Sequence, residues 1–176
     1  VAGQGTLGLE LLADCPSPGA VVIPLSGGGL AAGVAVAVRA LSPATRLIGV
    51  SMERGAAMAA SLAAGHPVEI AEQPTLADSL GGGIGLSNSV TFAICRALLD
   101  DVILVTEDEI AAAMRHIHAG TGDAVEGAAA VAGLGAANAR YFRTDVTDEA
   151  NVAANVAAAK EFLGGLNAAI NCAGIL

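Results

Sequence analysis

Positive charge is scarce in this sequence. Eight Lys and Arg stand against seventeen Asp and Glu, for a formal net charge of −9. With no cluster of cations to neutralise phosphates, nucleic acid is excluded as a partner, and the acidity speaks for solubility rather than for a fold. Charged residues of both signs make up only 14% of the chain, against 54% apolar residues, so much of the chain is expected to be buried. Aromatics are almost missing, at 2%. A core of Ala, Val, Leu and Gly suits parallel strands covered on both faces. The three cysteines, Cys15, Cys95 and Cys172, are odd in number and fit no zinc spacing. That excludes a disulfide framework and a structural zinc and leaves reduced, buried thiols of a cytosolic protein as the expectation. The sequence starts without a basic leader, so no signal peptide is expected, and without an initiator Met the chain is expected to begin inside a longer protein.

One uncharged run, Ala20 to Val38, is long enough to span a bilayer. Pro24 and Gly27-Gly28-Gly29 break any continuous helix there, and lipid would not satisfy the freed backbone groups. The run therefore reads as strand, loop and helix, and no membrane partner is expected. The rest of the chain alternates in the same way. Helices are expected over Thr6–Leu12, Leu30–Leu41, Ala56–Ala64 (closed by Gly65), Val90–Leu99, from Thr106 to about Ala119, from Ala124 to about Ala137, and over Thr147–Phe162. Strands are expected over Ala20–Leu25, Arg46–Ser51, Val68–Ile70, Val102–Val105, Arg140–Asp145 and Leu166–Asn171. Thr75 to Asn88 is a glycine-rich connection, and Thr106 with Glu109 forms a capping box. This order implies an α/β fold with a parallel sheet and flanking helices.

The most informative local stretch is Val21-Val22-Ile23-Pro24-Leu25-Ser26-Gly27-Gly28-Gly29-Leu30, a strand, a glycine turn and a helix start. Glycines let the backbone turn tightly and aim several N–H groups at one point, and the helix dipole adds positive potential. The stretch reads as a phosphate site or as a tight turn without a ligand. It is neither a Walker A loop nor G-x-G-x-x-G.

Over about residues 1–130 the chain resembles the pyridoxal-phosphate (PLP) dependent serine/threonine dehydratases of fold type II. Ala2-Gly3-Gln4-Gly5-Thr6, Ser26 to Leu30, Thr75-Leu76-Ala77-Asp78-Ser79, Val105 to Ile110 and Val125-Glu126-Gly127-Ala128 carry the likeness in order. Ser51 to Met58 and Ser79 to Gly85 look most similar to the dehydratase of hydroxyectoine utilisation. The resemblance implies that Ser26, Gly27, Gly28, Gly29 and Leu30 hold the cofactor phosphate. Ser26 replaces the first of the family's usual four glycines and adds a hydroxyl donor. Glu126 matches a family glutamate near the cofactor ring, and reads equally as a helix-start carboxylate favoured by the dipole. Ser79 stands where many relatives have Gly. A divalent-metal site of some relatives falls on Ser51 and Ala57, with Glu53 nearby, and is expected to be absent. The implied reaction is β-elimination of a small hydroxy amino acid to a 2-oxo acid and ammonia, in a complete enzyme that is a homo-oligomer. The reactive lysine of the family belongs to a segment preceding Val1. The only lysine here, Lys160, lies on an expected surface helix, so this polypeptide alone is expected to carry no catalytic residue and to make no oxo acid.

The last part, about 131–176, is similar to a different family, the short-chain dehydrogenase/reductases, nearest the 3-hydroxyacyl-CoA dehydrogenases. Arg140 to Thr147 and Leu166 to Gly174 carry that likeness. It implies NAD contacts from Asp145, Asn171, Ala173 and Gly174 at strand ends. Two units are thus expected, a partial fold-type II domain over 1–130 joined to a partial Rossmann unit over 131–176, with the join between about Ala124 and Ala136. Three functions stand open: part of a PLP-dependent ammonia-lyase, part of an NAD-linked dehydrogenase, or an inert phosphate-binding module. His116 and His118, two apart on a helix, point to different faces and make no metal pair. His66 is a turn residue, and Met52, Met58 and Met114 read as core fillers.

Overall fold

The computed structural model describes residues 1–121, 124–134 and 168–169. In chain order these form α1 (Ala2–Asp14), β1 (Ala20–Pro24), α2 (Gly29–Leu41), β2 (Arg46–Met52), α3 (Ala57–Ala64), a 3-10 turn at Asp78–Leu80, α4 (Thr91–Leu98), β3 (Asp101–Val105), α5 (Glu107–Thr121), α6 (Gly127–Leu134) and β4 (Ala168–Ala169). The four strands pair in the order β3-β2-β1-β4, all parallel. Val22 faces Ile48 across β1 and β2, and Gly49 faces Val102 across β2 and β3.

Side chains alternate across a strand, and the core divides accordingly. Val21, Ile23, Leu25 and Leu47 turn to one face, where Val34, Val38, Met58, Phe92 and Cys95 from α2, α3 and α4 pack on them. Val22, Ile48, Val50 and Met52 turn to the other, against Ile110, Ala128 and Val131 from α5 and α6. A strand buried on both faces needs a continuous apolar run, which is why Val21–Leu25 carries no polar side chain.

Helix α1 begins at Ala2 rather than at Thr6. Glycine is a poor helix former, but here it permits close packing: a Cβ on Gly33 of α2 would lie 2.5 Å from Val1 O and 2.8 Å from Gly5 N, and one on Gly8 2.9 Å from Ala37 Cβ. Gly65 ends α3 in the left-handed region, φ +79. The capping box is formed: Thr106 N–H and Oγ1 both donate to Glu109 Oε2 at 2.8 Å, and Glu109 N–H returns a bond to Thr106 Oγ1 at 3.2 Å. These bonds hold the Glu109 carboxyl below its usual range.

The expected strand at Val68–Ile70 is irregular chain instead. Val68 N–H donates to Ser61 Oγ at 3.1 Å, which ties the segment to α3 instead of to a strand. The uncharged run Ala20 to Val38 divides into β1, a turn and most of α2. Among the described residues no helix is long and apolar enough to cross a membrane. The expected helix over Thr147–Phe162 and strand over Arg140–Asp145 lie outside the described residues, as does the Leu166–Asn171 strand apart from Ala168–Ala169. Of the cysteines, Cys95 is buried, whereas Cys15 is half-buried, a correction to the expectation of buried thiols; Cys172 lies outside the described residues.

Candidate phosphate-binding site

β4 and β2 flank β1 on opposite sides, so strand order reverses at β1. In open parallel sheets the crevice at the carboxyl ends of such strands is where ligands bind. The chain leaving β1 there is Leu25 to Leu30. Leu25 N–H still donates to Val50 O at 2.7 Å, which extends the ladder up to the turn. Gly28 then adopts φ +83, ψ 1 and caps α2 without a side-chain bond. Only glycine suits this position. A Cβ would meet Met58 Cε at 2.7 Å, Cys95 Sγ at 3.0 Å and Thr91 Cβ at 3.2 Å, besides the unfavourable φ.

The carbonyls of the turn are held from behind. Thr91 Oγ1 donates to Gly27 O at 2.6 Å, and Ala32 N–H donates to Gly28 O at 2.8 Å. No peptide bond in the described chain is cis, and in a trans peptide the N–H points opposite to the preceding carbonyl. The N–H groups of Gly28 and Gly29 therefore point away from α4 and out of the start of α2. A left-handed residue followed by a helical one makes a concave nest of N–H groups that suits an anion. The N–H groups of the first turn of α2 have no partner within the helix, and that turn contains no acidic residue. Cβ atoms built on Gly27 and Gly29 meet nothing within 4 Å, which leaves the open side of the nest clear. Ser26 and Leu30 are half-buried at its rim. The chemistry of the donors and the space in front of them fit a phosphate group.

A second cluster joins three of the motif stretches. The Thr75–Ser79 loop is held by two glutamates from the starts of α5 and α6. Glu107 accepts from Thr75 Oγ1 at 2.6 Å and from Leu76 N–H at 2.8 Å. Glu126 accepts from Ser79 Oγ at 2.7 Å and from Ala128 N–H at 2.9 Å. Gly127 lets α6 reach the loop, because a Cβ there would run into the Leu76 carbonyl. Glu126 and Ser79 were each picked out in the sequence, and the fold brings them together. The Glu107 clamp was missed, since its capping-box neighbour Glu109 carried the only readable signal.

Ser51 is 2% exposed with its hydroxyl 3.4 Å from Met52 Sδ, and Ala57 is buried. Among the described residues no group of three or more His, Cys, Asp or Glu is arranged to hold a metal. His116 and His118 are exposed on either side of buried Ile117. Met52 and Met58 are buried in the core, and Met114 packs at its edge. Lys160, Asp145, Asn171, Ala173 and Gly174 lie outside the described residues.

The profile of the pyridoxal-phosphate dependent enzymes matches residues 1–161, and the chain belongs to that family. A Sinorhizobium fredii protein provisionally named a threonine dehydratase is 60% identical over 131 residues, which is 74% of this chain and 40% of that one. The catabolic L-threonine dehydratase TdcB of Escherichia coli is 41% identical over 132 residues, again 40% of its length. Among solved structures, the processed form of threonine deaminase isoform 2 from Solanum lycopersicum superposes with a TM-score of 0.68 at 38% identity, covering 73% of this chain and 37% of that one. Maize serine racemase does so at 0.69 and 36%, covering 74% and 40%. The chain thus spans 40% of the length of the first of these curated relatives. These likenesses bear out the parallel α/β fold of the type II PLP enzymes. The profile match runs past 131 into the tail, and the comparisons lend no support to a dehydrogenase there.

Proposed function

We propose that this chain forms the phosphate-holding part of a threonine dehydratase-like, PLP-dependent ammonia-lyase acting on a small hydroxy amino acid. The observation that carries the proposal is the Gly28 nest: outward N–H groups at the strand-order reversal, carbonyls tied back, and open space over Gly27 and Gly29. In this reading Gly27, Gly28, Gly29 and Leu30 bind the phosphate through the backbone and Ser26 adds its hydroxyl. A helix N-terminus with no acidic residue favours the phosphate charge. Glu126, fixed by Ser79 and by the start of α6, is the carboxylate beside the cofactor ring. When bound, PLP supplies the electron sink that lets an amino acid lose its α-proton. The chain's own task is to anchor the cofactor by its phosphate, and the reactive lysine comes from elsewhere in the complete enzyme, a homo-oligomer. The proposal concerns residues 1–130, and no observation carries an NAD site in the tail.

Equilibrium binding of PLP to the 176-residue chain, with pyridoxal as the control lacking phosphate, tests the reading. PLP is expected to bind saturably, to be displaced by inorganic phosphate and to outcompete pyridoxal by at least about tenfold, as a charge-assisted anion site implies. Equal binding of PLP and pyridoxal would remove the phosphate cup from the account.

A further inference from the structure

The glycine turn is braced by a pair of residues on a separate element. Asn88 and Thr91 sit at the start of α4, 64 residues along the chain from Gly27 in the case of Thr91. Asn88 lies two residues before the N-cap, Val90, and serves the first turn: its Oδ1 accepts from Phe92 N–H at 3.2 Å. Its Nδ2 donates to Ile84 O at 3.1 Å and to Thr91 Oγ1 at 2.8 Å. The helix start is thereby served without the Thr91 hydroxyl, which has one proton to give. That proton has two acceptors within reach, Asn88 Oδ1 at 3.0 Å and Gly27 O at 2.6 Å. The amide that donates into Thr91 Oγ1 leaves the shorter bond, to Gly27 O, as the one to form. We infer that Asn88 and Thr91 are positioning residues for the phosphate site: Thr91 fixes the plane of the Gly27–Gly28 peptide, and Asn88 fixes the hydroxyl of Thr91.

The consequence follows from peptide geometry. With the Gly27 carbonyl held toward α4, the Gly28 N–H must face the open side. Glycines on both sides of this peptide leave its rotation almost free of steric resistance, so no side chain of the turn itself selects one orientation. Buried Cys95 and Met58 fill the space behind Gly28, and Cys95 Sγ donates to Gly28 O at 3.8 Å, a contact with the next peptide rather than with the Gly27 carbonyl. For the Gly28 N–H, the bond from Thr91 to Gly27 O is the one from outside the turn that sets its direction.

The inference rests on the phosphate reading above, and the experiment separates the two. Titration of inorganic phosphate, followed at the amide resonances of the full chain, is compared for the parent, Thr91→Val and Thr91→Ser. The valine is isosteric and lacks the hydroxyl, whereas serine restores it. Thr91→Val is expected to weaken phosphate binding by about tenfold, the scale of one lost hydrogen bond in a preorganised site. Thr91→Ser is expected to stay within about twofold of the parent, with all three melting within a few degrees of one another. Equal affinity in parent and Thr91→Val overturns the brace while leaving the cup intact. Equal weakening by valine and serine also overturns it, since the hydroxyl would then be irrelevant. If the parent binds no phosphate saturably, the cup itself falls and the brace with it. Should valine disturb folding, Thr91→Ala supplies the same comparison without added bulk.

Discussion

The two ends of helix α2 use polar groups in opposite ways. At its C-terminus Arg39 donates to Pro43 O, Leu98 O and Asp100 Oδ2, each at 2.8 Å, and to Thr45 O at 3.3 Å. Asp100 Oδ2 also accepts from Leu47 N–H at 2.7 Å, and Thr45 Oγ1 donates to Pro18 O at 2.8 Å. Donors and acceptors there consume one another, and the result ties α2, α4 and the start of β2 together. At the N-terminus the carbonyls are consumed and the N–H groups are left facing outward. A polar cluster that closes on itself supports the fold. One that is satisfied on only one side, with space in front of the other, is equipped for a ligand.

The contrast can be broken most severely at Gly28. Gly28→Ala forces a non-glycine residue to φ +83 and drives a methyl into Met58, Cys95 and Thr91. It is expected to cost about 3 kcal/mol in stability and to abolish phosphate-competed PLP binding. Gly27→Ala has open space at its Cβ and is expected to change stability by no more than about 0.5 kcal/mol while still impairing the phosphate. Chemical denaturation and PLP titration of the two variants check the pair.

The other end should show the reverse pattern. Arg39→Met is expected to cost about 1–2 kcal/mol and to leave PLP binding unchanged. Its partner gives a pH signature. The Leu47 N–H bond, and then the Arg39 bond and charge, lower the Asp100 carboxyl from its ordinary value of 3.8. A depressed carboxyl contributes stability that is fully present above that ordinary value and is lost as pH falls through the folded one. Parent and Asp100→Asn should therefore differ in denaturation midpoint at neutral pH and converge in acid below pH 3.8. A gap that widens on acidification would refute the assignment.

A smaller effect is expected in the loop clamp. Ser79→Ala removes the donor to Glu126 Oε2 but spares the Ala128 N–H bond, for a loss of about 0.5–1 kcal/mol, readable by hydrogen exchange over Thr75–Leu80. The smallest effect concerns reactivity alone. Burial pushes the Cys95 thiol up to about 11, so at about pH 8 iodoacetamide should alkylate half-buried Cys15 well before Cys95. Mass spectrometry of the digested chain gives the order.

What could be read from the sequence was local. The β1–turn–α2 unit follows from an apolar run meeting three glycines, and the α5 start follows from Thr106 and Glu109, three residues apart. Gly65 announced the end of α3. The strand expected at Val68–Ile70 failed because composition cannot show that the Val68 N–H is taken by Ser61 of α3. α1 extends past its expected start because Val1 and Gly5 pack closely on Gly33 of α2, a tertiary gain that overrides local propensity. At the site, the glycine residues were legible, but what orients them was not. Thr91 reaches Gly27 across 64 residues, Ser79 reaches Glu126 across 47, and Arg39 reaches Asp100 across 61. No spacing in one sequence encodes such contacts.

The most direct test of the central claim is the set of backbone amides that move when inorganic phosphate is added to the isotope-labelled chain. The account predicts saturable shifts concentrated at Gly28, Gly29 and Leu30, with Arg39, Thr45 and Leu47 at the far end of the fold unmoved. Shifts confined to other segments, or none at Gly28 and Gly29, would contradict it.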